Sequence, residues 1–393
     1  MPGSVIVAGA RTPIGKLSGA LKDFKAVELG GLSIKAALER AGITGEQVDY
    51  VIMGHVLQAG TGQITARQAA VRGGIPMTVP ALTVNKVCLS GLDAIALADQ
   101  LITCGEFDVV VAGGMESMTS APHLLSGARA GYRLGGGELV DSMMYDGLFC
   151  SFDELGMGAA AETYTKLKNV SREEQDAFSA ASHGRAAAAM KNGSFDAEIV
   201  PVSVPQRRGD PLMVTEDEGV RPETTAEALA KLKAVFRAGG SVTAGNASQM
   251  SDGAAAVLLA SEKAIKDYGL TPLARFVGFA VAGVPPEIMG IGPKAAIPKV
   301  CKQTGIKQDD LDWIELNEAF AAQALAVIKD IGLNPDKINP LGGAIALGHP
   351  LGATGAVRIA TLLSGLRRRK QKYGMVTMCI GTGMGAAGIF EVV

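Results

Sequence analysis

Cys88 stands in VNKVCLSGLDAIALA, where a β-rich segment delivers it into a turn and a glycine-containing helix starts at once. A helix N-terminus favours a thiolate, because its partial positive charge offsets the negative one. The free N–H groups there can also hold an oxyanion. The same placement suits an inert core cysteine, since free cysteines are commonly buried. His349 stands in GGAIALGHPLGATGA, and the chain has only four histidines. The surrounding glycines let the backbone approach a ligand or adopt positive φ, and Pro350 suits a first helical position. An imidazole here can take a thiol proton or donate to a developing oxyanion. It can equally cap a helix or fill the core.

Cys379 lies in VTMCIGTGMGAAG, at the end of a β-rich run that enters a loop of small residues. A thiol beside exposed backbone N–H groups is a candidate acid or base; a buried structural cysteine is the other reading. The GTGMG string lacks the full dinucleotide fingerprint and leaves no room for the βαβ unit that would follow it. No GxxxxGK string occurs. Asn317 and Glu318 close a strand and open an alanine-rich helix in IELNEAFAAQ. Asn317 can serve as an N-cap or hold a water that donates to a carbonyl oxygen.

The elements that must position these groups follow from periodicity. Ser4 to Ala8 reads as a buried strand ending in a turn at Gly9-Ala10-Arg11-Thr12-Pro13, and Ala26 to Ala41 as a helix stopped by Gly42. Further strands are expected at Val48 to His55, Ala81 to Val87 and Phe107 to Ala112, the last entering a turn at Gly113-Gly114. Helices are expected from Ala66 and from Gly91. This alternation implies parallel βαβ units. From about Ser120 to Ser248 the pattern changes to glycine loops, charged helices and isolated prolines, read as an inserted, mostly surface-lying domain. Ser171 with Glu174 forms a capping box there. Gly253 to Ala260 returns to an apolar run. After Ala274 the opening pattern recurs, with strands at Arg275 to Gly283, Trp313 to Leu316, Met375 to Ile380 and Ile389 to Val393. Phe107 to Gly114 matches Gly374 to Gly381, and Cys88 matches His349, each just before a long apolar helix. The fold class is therefore α/β, with two related halves and sites where equivalent loops meet.

A chain of 393 residues is too long for one ordinary core, and with 48% hydrophobic residues it can bury a large one. Its net charge of −2 provides no field for nucleic acid. The run Arg367-Arg368-Arg369-Lys370 reads as a solvated helix end. Five cysteines, an odd number with no CxxC pair, argue against a disulfide framework or a zinc site and for a reducing compartment. The stretch MPGSVIVAGARTPIG does not read as a signal peptide, and no apolar run of about 18 residues predicts a membrane span. The cytoplasm is the expected location, with no metal.

Taken together, NEAF, GHPLGATG, CIGTGMGAAG and an upstream CxSG cysteine resemble the thiolases in order and spacing. ARTPIG, TAGNAS followed by SDGAAA, and EIMGIGP extend the resemblance over essentially the whole chain. It implies a layered αβαβα architecture: an N-terminal half over 1–119 to which 249–272 return, an inserted loop domain over 120–248 that binds coenzyme A, and a C-terminal half over 273–393. It also implies roles. Cys88 matches the nucleophile, His349 the histidine that activates it, Cys379 the second cysteine that shuttles the Cα proton, and Asn317 the residue that orients an oxyanion-hole water. The N–H groups of Cys88 and Gly381 match a second oxyanion hole. Arg221, Leu232, Phe236, Ala244 and Ser248 match coenzyme A contacts, and Leu148, Met157, Met289, Ala319 and Phe320 match the acyl and pantetheine pocket. Two positions depart from the pattern: Leu89 follows the nucleophile where many thiolases have glycine, and Gly156-Met157 stands where many short-chain members have His-Met.

The implied reaction is the reversible condensation of two acetyl-CoA to acetoacetyl-CoA and coenzyme A through an acyl-cysteine, with coenzyme A as carrier substrate and no separate cofactor. A thioester keeps its carbonyl electrophilic. Its α-proton is too weakly acidic for a free thiolate unless the enolate oxygen is stabilised. Thiolysis of longer chains, ketoacyl synthesis and a silent lipid-binding relative are the alternatives. Self-association as a dimer of dimers is expected from the same resemblance.

Overall fold

A computed structural model describes residues 4–393. Residues 1–3, the start of the stretch read above for a leader, lie outside the described residues. The chain runs β1 (Val5–Arg11), α1 (Ala26–Ala41), β2 (Tyr50–Gly54), α2 (Thr65–Arg72), β3 (Ala81–Val84), α3 (Ser90–Thr103) and β4 (Val109–Ser117). After α4 (Met157–Leu167) and α5 (Arg172–Lys191) come β5 (Ser251–Ala260), β6 (Ala274–Gly283), α6 (Pro293–Thr304), β7 (Trp313–Leu316), α7 (Ala321–Ile331), α8 (Thr354–Arg369), β8 (Tyr373–Ile380) and β9 (Met384–Val392). The strands pair in the order β7-β8-β9-β6-β1-β5-β4-β2-β3, and a short strand at Gly15–Lys16 adds to β5. Only two residue pairs, Val5 with Arg275 and Ile6 with Ala274, join β1 to β6. The ladder therefore divides into two leaves.

Alternation along each strand builds the layers, because successive side chains point to opposite faces. In the first leaf Val5, Val51, Met53, Val109, Val111, Ala256 and Leu258 face α1 and α2. Their neighbours Ile6, Ile52, Val110, Ala112, Val257 and Leu259 face α3 and α8. The same central cluster takes Val376, Met378, Ile380 and Phe390 from the second leaf. That leaf's other face turns Ile314, Leu316, Met375 and Ile389 toward α6 and α7. The result is an αβαβα stack, with α3 and α8 as the buried middle layer.

Both middle helices carry a glycine where they cross. A Cβ on Gly91 would stand 2.8 Å from Gly352 O, and one on Gly355 would stand 2.3 Å from Leu92 N. Such spacing admits hydrogen only, so the backbones of α3 and α8 lie in contact. The loops that precede them, carrying Cys88 and His349, are brought together by this crossing.

Two expected turns are absent. β1 continues through Gly9-Ala10-Arg11, pairing with Val257, Ala256 and Ala255. β4 continues through Gly113-Gly114 to Ser117. These two glycines are needed for close approach: a Cβ on Gly113 would lie 2.1 Å from Ala255 O, and one on Gly114 would lie 2.0 Å from Gly352 O. The sheet is also not purely parallel. β2 runs parallel to β3 and β4, and β7 parallel to β8, but β5 and β9 run antiparallel to their neighbours. β9 follows β8 through the tight turn at 381–383, which reverses the chain without a crossover helix. The basic run closes the last turn of α8, and Lys370 takes the left-handed C-cap.

Candidate active site

The Cys88 loop is held by local bonds. Val87 N donates to Asn85 Oδ1 (3.0 Å), Lys86 N to Ser90 Oγ (2.8 Å), and Ser90 Oγ to Val87 O (2.7 Å). Val87 has φ +50°, a left-handed conformation that costs a β-branched residue on the order of 1–3 kcal/mol. The turn it makes ends β3's excursion and places Cys88 two residues before α3. Leu89, the departure from the family pattern, is fully buried.

His349 reaches the same point from the other half. Gly348 precedes it with φ +104°, and a Cβ there would meet Ser251 Oγ at 2.4 Å. His349 N donates to Ser251 Oγ (3.1 Å). Its Nε2 lies 3.2 Å from Cys88 Sγ and 3.4 Å from Asn317 Nδ2, and its Nδ1 lies 2.6 Å from Thr354 Oγ1. A thiol and an amide NH2 are both donors toward Nε2, so the resting ring carries its proton on Nδ1 and gives it to Thr354. Burial, helped by Arg358, lowers the imidazole to about 3 and keeps it neutral.

Cys379, at the end of β8, and Gly381 line the same chamber as Cys88 and His349. The N–H groups of Cys88 and Gly381 both act on the Cys88 sulfur, favouring its charged form. Burial outweighs them, with Cys379 next, and drives the Cys88 thiol well above its ordinary range. The thiolate-favouring effect expected from the start of α3 thus does not prevail in the resting site. An enclosed sulfur loses more hydration than a helix end returns. Burial also pushes Cys379 up to about 12. The site is a neutral thiol–imidazole pair in which a proton can pass from sulfur to nitrogen as the sulfur attacks. Asn317 is fully buried; its N–H donates to Thr377 O (3.0 Å), and its Oδ1 has no partner among the described residues.

The inner chamber, about 50 Å³, opens to an outer cleft of about 470 Å³. They share Leu148, Met157, Ser248, Phe320, His349 and Leu351. Met289 and Ala319 line the chamber; Arg221, Phe236 and Ala244 line the cleft. Leu232 lines neither: it is 41% exposed, with its Cδ1 close to Gly245 and its carbonyl accepting from Arg172 Nη2 (3.0 Å). Gly156 lines the cleft, and the nearest atom to a Cβ there is Leu148 O at 3.9 Å. A side chain at this position would meet open space.

Several groups at the site play parts that the sequence reading did not assign. Thr354 lies within the GHPLGATG string but was not distinguishable there from a helix-start threonine. Glu116, in the apolar strand β4, accepts from Val56 N (3.1 Å), Leu57 N (3.1 Å) and Gly352 N (2.9 Å). It thereby ties the turn after His349 to the first leaf. Its signal was a lone carboxylate in a β-branched run. Glu318 plays a similar part from β7's end, accepting from Ser182 Oγ (2.7 Å), Asn339 Nδ2 (2.8 Å) and Ile345 N (3.2 Å).

Comparison with known proteins bears on this geometry. Residues 4–263 match the family model for the thiolase N-terminal domain, and residues 270–392 match that for the thiolase C-terminal domain. A probable acetyl-CoA acetyltransferase of Mycobacterium tuberculosis is 54% identical, with 100% of each chain covered. The acetyl-CoA acetyltransferase of Cupriavidus necator is 50% identical over 98% of each chain. The crystal structure of the Bacillus anthracis acetyl-CoA acetyltransferase superposes with a TM-score of 0.98 at 43% identity, covering 100% of this chain and 99% of that one.

Proposed function

From the premise that this chain belongs to the thiolase family and is an acyltransferase, we propose that it condenses two acetyl-CoA to acetoacetyl-CoA and coenzyme A, reversibly, through an acetyl group on Cys88. The observation that carries this reading is the 3.2 Å approach of His349 Nε2 to Cys88 Sγ in a chamber shared with Cys379.

In the first half-reaction Cys88 Sγ attacks the thioester carbonyl while its proton passes to His349 Nε2. The C–S bond to coenzyme A breaks, and the leaving thiolate takes the proton of Cys379, which leaves Cys379 as a thiolate and His349 protonated on both nitrogens. The N–H groups of Cys88 and Gly381 hold the oxyanion, a contribution supported by their effect on the sulfur. In the second half-reaction Cys379 removes a proton from Cα of the incoming acetyl-CoA. His349 and a water held by Asn317 stabilise the enolate oxygen; the Oδ1 of Asn317, without a partner among the described residues, supports such a water. The enolate carbon attacks the acetyl carbonyl, the bond to Cys88 breaks, and the sulfur recovers its proton from His349 Nε2, which restores the neutral ring and leaves Cys379 as a thiol. Arg221, Leu232, Phe236, Ala244 and Ser248 are the proposed coenzyme A contacts, with Leu148, Met157, Met289, Ala319 and Phe320 around the pantetheine and acyl group. The division at 119, 248 and 272, a dimer of dimers and a cytoplasmic location belong to the same proposal; no helix among the described residues is long and apolar enough to cross a membrane.

Incubation with acetyl-CoA followed by intact-mass analysis tests the reading. One acetyl group is expected on the native chain, mapping to Cys88, and none on Cys88→Ala. Equal acetylation of both proteins would refute it.

A further inference from the structure

Part of the chamber's lining does not reach the cleft. Among its lining residues, Tyr164, Met289, Gly290 and Gln323 are not shared with the outer space. Gln323 sits in the first turn of α7 and is 1% exposed. Neither its Nε2 nor its Oε1 has a hydrogen-bond partner among the described residues. Tyr164, also 1% exposed, accepts from Gly290 N at 2.8 Å, and its own O–H has no acceptor among the described residues. The two side chains close over the same glycine: a Cβ on Gly290 would lie 2.4 Å from Tyr164 Cε2 and 3.0 Å from Gln323 Cγ.

A buried carboxamide with both ends unmet is costly, and so is a buried hydroxyl without an acceptor. The chamber has room for at least one water, and these groups supply the two to four polar partners that one needs. We infer that Gln323, with Tyr164, sets acyl chain length by making the far end of the acyl chamber polar. This rests on the reading that Cys88 carries the acyl group. A two-carbon acyl group stops short of the amide and leaves its water in place. A longer chain replaces that water with methylenes, which satisfy neither the amide nor the phenol. The selected substrate class is therefore short, unbranched acyl thioesters. The open position at Gly156 bears on the cleft and not on this end.

Stranding one buried amide by a methylene corresponds to roughly five- to hundredfold in specificity. The test compares kcat/KM for thiolysis of four-, six- and eight-carbon 3-ketoacyl-CoA by the native enzyme, Gln323→Met and Tyr164→Phe. Gln323→Met keeps side-chain length and removes both polar atoms. It is expected to raise the six-to-four-carbon ratio about tenfold or more, with a smaller shift in the same direction for Tyr164→Phe. Acetylation of Cys88 is followed in each protein by intact mass. Acetylated variants whose chain-length ratios equal the native one would overturn the inference and leave the Cys88 reading standing. A native enzyme that is never acetylated at Cys88 would remove the premise instead.

Discussion

Replacing Thr354 by valine removes one hydroxyl from behind His349 and leaves a side chain of nearly the same shape. The hydroxyl lies 2.6 Å from Nδ1 and is fully buried, so no bulk water can take its place. In the resting site it accepts from Nδ1–H. It accepts from Nδ1–H again while the protonated ring faces the proposed enolate. During attack by Cys88 the ring becomes cationic, and the bond to Thr354 becomes charge-assisted. Such bonds contribute about 1.5–3 kcal/mol, so Thr354→Val is expected to slow acetylation by roughly 10- to 150-fold. Thr354→Ser keeps the hydroxyl and should remain within a few-fold of native. The assay is rapid-quench acetylation of Cys88 by saturating acetyl-CoA, read by intact mass. Native-like acetylation by the valine variant would refute the argument. A serine variant as slow as the valine one would move the effect from the hydroxyl to the methyl group.

Cys379→Ala should still accept one acetyl group on Cys88 while losing on the order of 10²–10⁴ in condensation rate; undiminished acetoacetyl-CoA formation would contradict its assignment to the Cα proton. Gly355→Ala sets a methyl 2.3 Å from Leu92 N, so it should destabilise the fold by about 1–3 kcal/mol or more. An unchanged denaturant midpoint would show that α3 and α8 can part without cost. Acid behaviour follows from buried groups. His349 is lowered to about 3, and His55 and His183 to about 4, from 6.5. Their stabilisation is complete above about pH 6.5 and drains as pH falls, because the unfolded chain then binds more protons. Burial raises Glu116 and Glu315 to about 7 from 4.5, which works in the opposite sense between those values. Urea midpoints should therefore change little from pH 7 to 5 and drop steeply below about 4.5; a midpoint still rising at pH 4 would exclude this balance.

Much of the site was legible because its chemistry is concentrated in short strings. Cys88, His349, Asn317 and Cys379 each end a segment whose periodicity changes, and the segment ends were readable: α1 stops at Gly42 and β7 spans Trp313–Leu316, as expected. Ser171 also caps α5 by accepting from Glu174 N. Glycine was the weak signal. Gly113-Gly114 reads as a turn in one dimension, yet its reason is the carbonyls of Ala255 and Gly352, which are distant in sequence. Strand direction escaped for a related cause, since β5 arrives after a long insertion and its partner cannot be inferred from spacing. The acidity of Cys88 was misjudged because local helix geometry is visible in sequence and enclosure by segments distant in the chain is not. Leu232 was placed by similarity of pattern alone; it is 41% exposed, with its Cδ1 close to Gly245.

The sulfur and its base are 261 residues apart in the chain. A ribosome making this protein finishes Cys88 early and carries it as an ordinary thiol through most of translation. Until the His349 loop has been made and packed against Cys88, the base 3.2 Å from its sulfur is missing. The paired sulfur and imidazole thus exist only in the folded molecule, not in the nascent polypeptide.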